Sequence, residues 1–415
     1  MNKIMINKQT LIGCTVLLML TGPTHAQNNG IDAILQQIAA NNKELKAQNH
    51  LISSQKLENK VENNLSDPTL SYSHVWDSTN SGETAGELIV SQSFEFPTLY
   101  GVRGSRNRLR NNALDAQSEA LRQEVLLQAK ELCLDIILLQ RRQQMLDERQ
   151  KNAEELSVLY TQRLESGDAN ILETNKIKLE LLNVRTETRL NLNSLKSKLK
   201  ELLALNDNQP LTAGRPLPGD PLPTPQALGL TDYPTVPLPA SIAPLMDELL
   251  SSDPALLSLQ GESDAARKQI VASRQGWLPR LELGYRRNTE SGHPLNGVVV
   301  GFSFPLFENR SKVKIAKAQA TSIDFQRENE WTKRRANLWQ AYEEARNLQT
   351  SIDEYSTTFA QQQNLSLLKQ ALTGGEISLI EYFVEVSVIY QSHDNLLELE
   401  NQYQKAMARL YKSRL

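Results

Sequence analysis

The chain has 415 residues, a formal charge of −3 at pH 7, 40% hydrophobic residues and only 6% aromatics. That length exceeds one ordinary domain, yet so few aromatics among abundant Leu, Gln, Asn, Glu, Lys and Arg point to long helices burying narrow stripes, not to thick globular cores. The slightly acidic balance excludes the basic footprint that nucleic acid requires.

The first 26 residues have the anatomy of an export leader: Lys3 and Lys8, an apolar run from Leu11 to Leu20, then the small residues of Thr24-His25-Ala26. The mature chain is expected to begin at Gln27, two lysines lighter and so at about −5. Leu11-Ile12-Gly13-Cys14 resembles a lipoprotein box, but Cys14 stands at the start of the apolar run instead of after it, so lipidation is not expected. Cys133, alone after cleavage, sits in a helical pattern as a small buried side chain with no disulfide partner.

From Ile31 to Asn64 neither Gly nor Pro interrupts a predicted helix. Leu70, Tyr72, His74 and Trp76 then alternate with Thr69, Ser71 and Ser73; after a Ser/Thr/Asn/Gly-rich loop from Asp77 to Gly86, Leu88, Val90, Phe94 and Phe96 alternate with Glu87, Ser91, Ser93 and Glu95. Period two bounded by turn residues predicts a strand hairpin. A gapless helix is predicted next, from Ser105 to Arg163, with Val125, Leu132, Leu139, Leu146, Ala153 and Tyr160 spaced by seven. At 1.5 Å per residue such a helix is a rod of about 90–100 Å. It turns at Ser166-Gly167-Asp168, and a return helix spans Ile171 to Leu205.

Asn206 to Ala240 holds nine of the 17 prolines and is predicted to be an extended linker strapped along the surface near mid-rod. Beyond it the layout repeats. A helix of about 31 residues precedes Gly276; Leu281, Leu283 and Tyr285 mark one strand, Val298, Val300, Phe302 and Phe304 its partner, with a turn from Thr289 to Pro294. A second long helix is predicted from Phe307 to Thr373, with Leu338, Ala345, Ile352 and Phe359 spaced by seven, a turn at Gly374-Gly375-Glu376, and a return helix from Ile377 to Leu410.

The two halves are one unit written twice, since Pro97 and Gly167 lie 70 residues apart and so do Pro305 and Gly375. Leu164, Gly167, Asp168, Ile171, Leu172 and Glu173 align without a gap on Leu372, Gly375, Glu376, Leu379, Ile380 and Glu381. The expected organisation is therefore a leader (1–26), a first repeat (27–205), the linker (206–240) and a second repeat (241–415). The half-length helices of each repeat sum nearly to the length of its rod, which predicts one continuous helix packed beside two stacked end to end.

No catalytic, cofactor-binding or metal constellation is visible: there is no Gly-rich phosphate loop, paired cysteine, His-Glu metal spacing or nucleophile elbow. His50, His74, His293 and His393 are scattered, and an enzyme is not expected. No mature stretch reaches the ~18 apolar residues of a spanning helix. If the protein enters a membrane, it does so with strands. Four strands per chain cannot close a barrel; two chains supply eight, three supply twelve, and twelve leave a passage. Tyr72, Trp76, Phe94, Phe96, Tyr100, Trp277, Tyr285, Phe302 and Phe307 are candidates for interfacial girdles. The same hairpins also suit a soluble cap on a coiled coil. Arg103, Arg106, Arg108 and Arg110 fit either a lipid surface or a solvated helix start.

The Pro-x-Leu strand starts (Pro68-Thr69-Leu70 and Pro279-Arg280-Leu281), the Phe-x-Phe-Pro strand ends, and Tyr160 to Gly167 with its counterpart Leu372-Thr373-Gly374-Gly375 together resemble the outer-membrane efflux protein family typified by TolC. Phe96 to Gly101 and Phe304 to Arg310 look most like its cation-efflux branch. The resemblance implies a mainly α fold with a small β part: duplicated helical hairpins building a periplasmic tunnel, and four strands per chain in a trimeric twelve-stranded outer-membrane barrel. It implies a homotrimer in outer-membrane lipid, gripped by a periplasmic adaptor and driven by an inner-membrane pump, with no cofactor. It also implies that Glu173 and Glu381, six positions past the tip glycines, constrict the periplasmic aperture. Val384 stands where the family has a further acidic residue, and Glu385 is its substitute one turn past Glu381. Each glutamate equally suits a helix N-terminus, where the macrodipole stabilises it. Ser166, Gly167, Asp168, Gly374, Gly375 and Glu376 are the implied adaptor-contacting tips, and are equally plain helix-to-helix turns. An exit duct for small molecules or cations is the leading expectation. A type I protein-secretion exit channel and a poreless periplasmic coiled-coil protein are the alternatives.

Overall fold

The computed structural model describes residues 30–76, 84–211, 222–290, 293–360 and 364–415. The expected leader, with Cys14, lies outside the described residues.

Helix α1 (Gly30–Asn41) and helix α2 (Lys43–Val61) stand where one helix to Asn64 was predicted. The break is Asn42: its side-chain oxygen accepts the Leu45 N–H at 3.0 Å while its amide donates to the Leu205 carbonyl at 2.9 Å. A side chain that competes for backbone groups ends a helix that the hydrophobic pattern would continue. Strands β1 (Thr69–Trp76) and β2 (Thr84–Phe94) follow. Helix α3 (Pro97–Ser166) then runs for 70 residues, about 105 Å at the usual rise. It starts earlier than predicted because proline suits the first helical position and Leu99 is buried there. The helix passes through Gly101 and Gly104 at about 1 kcal/mol each.

Helix α4 (Ile171–Leu205) has the predicted bounds. The helix expected before Gly276 is two, α5 (Ala243–Ser251) and α6 (Pro254–Gln275), because Asp253 caps the second by accepting from Ala255 N at 2.8 Å. Strands β3 (Arg280–Glu290) and β4 (His293–Ser303) pair up to Glu290 and His293, so their connection is tighter than the predicted Thr289–Pro294 turn. Helix α7 (Lys312–Ala360) begins five residues later than predicted, after a loop with Ser311 at φ 70°. Helix α8 (Asn364–Gly374) leads to the second tip, and α9 (Leu379–Leu410) starts after its Ser378 cap, two residues beyond the expected Ile377.

Helix α3 is the central column, flanked by α2 and α4 on one side and by α6 and α9 on the other, with α7 beyond them. Three cores hold the columns. Two lie at mid-rod, where stacked helices meet: Ile34, Ile38, Ile137, Leu199 and Leu202 pack in the first repeat, and Met246, Leu249, Tyr342, Ala345 and Met407 in the second. Here the linker expectation needs correction. Leu211, Leu228 and Leu230 enter the first-repeat core, with Leu228 and Leu230 fully buried, because α1 and α4 leave an apolar gap that surface residues would not fill. The third core lies at the tips.

Buried asparagines set the axial register. Asn191 of α4 donates to Leu139 O and Asn401 of α9 to Leu134 O, both at 2.9 Å, so both return helices are pinned to adjacent turns of α3. Cys133 is buried and free as expected, its thiol pushed up to about 12 by burial.

Candidate functional site

The four strands form one antiparallel sheet in the order β1-β2-β3-β4, and the β2–β3 pairing joins the hairpins of the two repeats. Directly opposed residues share a face. The register Leu70↔Val90↔Tyr285↔Val298 therefore gathers Leu70, Tyr72, Trp76, Leu88, Val90, Leu283, Tyr285, Val298, Val300 and Phe302 on one face. The other carries Thr69, Ser71, Ser73, Ser91, Ser93, Glu282 and Asn288, with Glu87 paired to Arg286, and is mostly polar although Val75, Ile89, Leu295 and Val299 also lie on it. The apolar face is bare: Val298 is 82% exposed and Leu70 70%. Strands β1 and β4 are free edges in the single chain. A sheet with one oily face, one polar face and two open edges is an arc of a barrel.

At the helical end of the sheet three of the four arginines have protein partners. Arg103 pairs with Glu95, and Arg106 with Glu62 and Gln269, while Arg110 lies 3.6 Å from Glu62. Burial holds the Arg106 guanidinium below its usual value although Glu62 pulls it up. Arg108 is exposed and has no ion pair among the described residues. Phe96 is the N-cap of α3 instead of a strand residue, and the Tyr100 hydroxyl accepts the Glu95 N–H at 3.1 Å, which ties Tyr100 to the strand end.

At the opposite end both repeats turn by the same device. Gly167 (φ 84°) donates its N–H to Leu164 O at 3.2 Å, and the Asp168 N–H reaches Arg163 O at 2.7 Å. In the second repeat Gly375 (φ 77°) reaches Leu372 O at 3.3 Å and the Glu376 N–H reaches Ala371 O at 2.8 Å. These are paired Schellman turns, and the left-handed residue is glycine because a Cβ there is strained. Ser166, Gly167, Asp168, Gly374, Gly375 and Glu376 are all exposed, and the Ser166 hydroxyl donates to Asp168 Oδ2 at 2.9 Å.

The structure gives the carboxylates of Glu173 and Glu381 work inside their own helices. Asn170 and Glu173 form a reciprocal capping box, as do Ser378 and Glu381; Glu173 accepts the Asn170 N–H at 2.9 Å and Glu381 the Ser378 N–H at 2.8 Å. Asn or Ser three residues before Glu, ahead of an apolar run, was the signal for this. Glu385, one turn on, is exposed and has no ion pair among the described residues.

The structure also brings the two tips together, which the repeat alone does not require. Met145, Leu156 and Tyr160 of α3, Ile177 of α4, Leu372 of α8, and Leu379, Tyr382, Val386 and Tyr390 of α9 form one core. Asn152 donates to the Tyr390 hydroxyl at 3.1 Å, and Lys369 of α8 pairs with Glu155 of α3 at 2.5 Å. Burial pushes the Tyr382 hydroxyl up to about 12, so it stays a neutral packing residue. Among the described residues no cluster of His, Cys, Asp and Glu suits a metal ion, and no helix is long and apolar enough to cross a membrane.

The family described as outer membrane efflux protein matches residues 245–413, nearly all of the second repeat. No curated protein matches the chain in sequence. In three dimensions it is similar to CusC, a protein described for conformational changes accompanying folding and transmembrane channel formation, at 16% identity and a TM-score of 0.76, with 94% of this chain and 93% of that one covered. It is similar also to the outer membrane protein VceC of Vibrio cholerae (13% identity, TM-score 0.73, 92% and 95% covered) and to the CmeC outer membrane channel of Campylobacter jejuni (15%, 0.70, 99% and 93%). Identities this low carry the fold and not the cargo.

Proposed function

We propose that the chain is a member of the outer membrane efflux protein family, whose model matches residues 245–413, and that it is the passive exit duct of a tripartite efflux assembly. Three copies close a twelve-stranded barrel in the outer membrane, and their helices continue as a tunnel through the periplasm. The observation that supports this is the sheet register, which gathers most of the aromatic and large aliphatic side chains on one face and leaves β1 and β4 unpaired at its edges. An open edge cannot stand in lipid, so β4 of one copy must pair with β1 of the next.

In this reading the glycine turns and Ser166, Asp168, Gly374 and Glu376 meet a periplasmic adaptor, and an inner-membrane pump supplies the energy. Glu173, Glu381 and Glu385 give the periplasmic mouth its negative charge; Glu385, unpaired, is the one free to face a passing ion. A ring of carboxylates favours cations, so the cargo is small molecules or metal cations, with cations preferred. The duct performs no chemistry and needs no cofactor.

Three measurements test the proposal together. The protein should appear in outer-membrane fractions as a heat-modifiable trimer, should conduct in planar bilayers, and its deletion should sensitise cells to metal salts or drugs. Recovery as a soluble monomer without conductance would remove it.

A further inference from the structure

Where the second repeat leaves its sheet, it departs from the first. After Pro97 the first repeat enters α3 at once and Leu99 is 5% exposed; after Pro305 the chain makes a loop to Ser311, and Phe307, which aligns with Leu99, is 86% exposed. Phe304 and Leu306 are bare as well, and Trp277 is exposed at the neighbouring junction between α6 and β3. The loop is built to hold this shape. Buried Asn309 donates its amide to the Gly276 carbonyl, Leu306 N–H reaches Phe304 O at 2.9 Å, Lys312 N–H reaches Asn309 O at 3.2 Å, and Ser311 takes a left-handed backbone. Strained backbone kept in place by its surroundings marks functional segments.

Charge follows the apolar residues. Arg310, Lys314 and Lys317 are exposed and have no ion pair among the described residues, whereas Lys312 is satisfied by Glu308 at 3.2 Å. Ala316, Gln319 and Ile323 of α7 line a groove shared with α2, α3 and α6. Helical spacing sets Lys314 and Lys317 about 140–160° round from Gln319, on the flank away from that groove. The loop directly continues β4, whose Phe302 belongs to the apolar face. Apolar side chains at the rim of a lipid-facing sheet, with unpaired cations beside them, match the headgroup layer of an anionic monolayer.

We infer that the loop Pro305–Ser311 and the start of α7 form an anchor for anionic phospholipid headgroups in the periplasmic leaflet, with Leu306 and Phe307 in the acyl region and Arg310, Lys314 and Lys317 on the phosphates. This rests on the duct reading, because it takes the apolar sheet face as inserted. The test uses the full-length oligomer, purified in detergent and exposed to equal phosphatidylglycerol and phosphatidylcholine, with retained lipid counted by native mass spectrometry and conductance recorded on the same preparation. The wild type should retain phosphatidylglycerol preferentially, and Arg310→Gln, Lys314→Gln and Lys317→Gln should each lower that preference by about fivefold while conductance persists. Phe307→Ser should reduce retention of both lipids and leave the oligomer intact. A conducting wild type with no headgroup preference overturns the inference alone. So does a Phe307→Ser variant that falls to protomers with lipid preference unchanged, since Phe307 would then be a contact between copies. A wild type that neither inserts nor conducts overturns the duct reading and the anchor with it.

Discussion

Helices α3 and α7 are the same element of one repeated unit, yet they live in different environments. Helix α3 buries side chains along most of its length, from Leu99 to Tyr160, against neighbours on both flanks; in α7 the buried residues are Ala316, Ala320, Ala341, Tyr342 and Ala345, while Phe325, Trp331 and Trp339 are exposed. Strands differ in the same sense, since β2 and β3 are paired on both sides and β1 and β4 on one. The difference is positional. A duplicated unit laid side by side has an inner copy of each element and an outer one, and the outer ones keep the apolar residues that a ring would cover. In the ring proposed above, asymmetry between the repeats is a measure of what the neighbouring copies supply.

The largest expected effect comes from the seam where the repeats join. A Cβ on Gly284 of β3 would meet Val90 O at 2.6 Å and the Ser91 Cβ at 2.9 Å, both across the β2–β3 pairing, whereas Gly297 of β4 has open space. Gly284→Val should abolish the heat-modifiable oligomer and leave protein outside the membrane fraction. Gly297→Val should leave both unchanged, and equal behaviour of the two variants would break the distinction between inner and outer strands.

Next in size is truncation of one apolar side chain on each rod, buried on α3 and exposed on α7. Ile137 of α3 is 0% exposed, and Ile137→Ala should cost about 2–5 kcal/mol in thermal unfolding of the helical body. Phe325 of α7 is 67% exposed, so Phe325→Ala should change protomer stability by less than about 0.5 kcal/mol, yet weaken the oligomer in sedimentation. If Phe325→Ala leaves assembly untouched, α7's exposed face is not covered by a neighbouring copy.

Most of this architecture was legible in the sequence, because the features that specify it are periodic. Alternation through Leu70, Tyr72, His74 and Trp76 fixes a strand and its two faces, and a repeat of seven from Val125 to Tyr160 fixes a rod. The misses are single polar residues acting on the backbone. Asn42 and Asp253 stop helices that the apolar pattern continues, and Ser378 moves the start of α9. Long-range placement was harder still. Leu228 and Leu230 sit among prolines that read as surface strapping, and only the gap beside α1 and α4 shows why they are buried. At the tips the glycines, the glutamates and the Asn-x-x-Glu and Ser-x-x-Glu spacing of their capping boxes are all in the sequence, but not that Tyr382 and Tyr390 join both tips to α3.

The tips sharpen the comparison from the other side, because there the repeats are alike. Gly167→Ala and Gly375→Ala each force an L side chain into the left-handed region and should cost about 1 kcal/mol, seen as faster amide exchange in the first turns of α4 and α9. Similar costs are expected, since neither glycine has a neighbour within 4 Å of its would-be Cβ. A large inequality would mean that one tip is strained by contacts the other lacks.

The smallest effect concerns acid. Hydrogen bonds from the Ser378 N–H, and then from its side chain, hold the Glu381 carboxyl below its ordinary value. A group whose value is lowered on folding contributes stability that is complete above its unfolded value, about 4.3 for glutamate, and is lost as pH falls through the folded one. Amide protection at the start of α9 should therefore decline as the solution is acidified below about pH 4, by no more than a few-fold because the group is on the surface. Glu381→Gln separates charge from geometry: glutamine still closes a capping box, so protection should persist and its acid dependence should vanish. Ser378→Ala, which removes the reciprocal bond, should lower protection at every pH. If Glu381→Gln instead retains the full acid dependence, the titrating group is another carboxylate of the tip, and Glu155, held low by Lys369 on the α3 side of the same core, is the one to replace next.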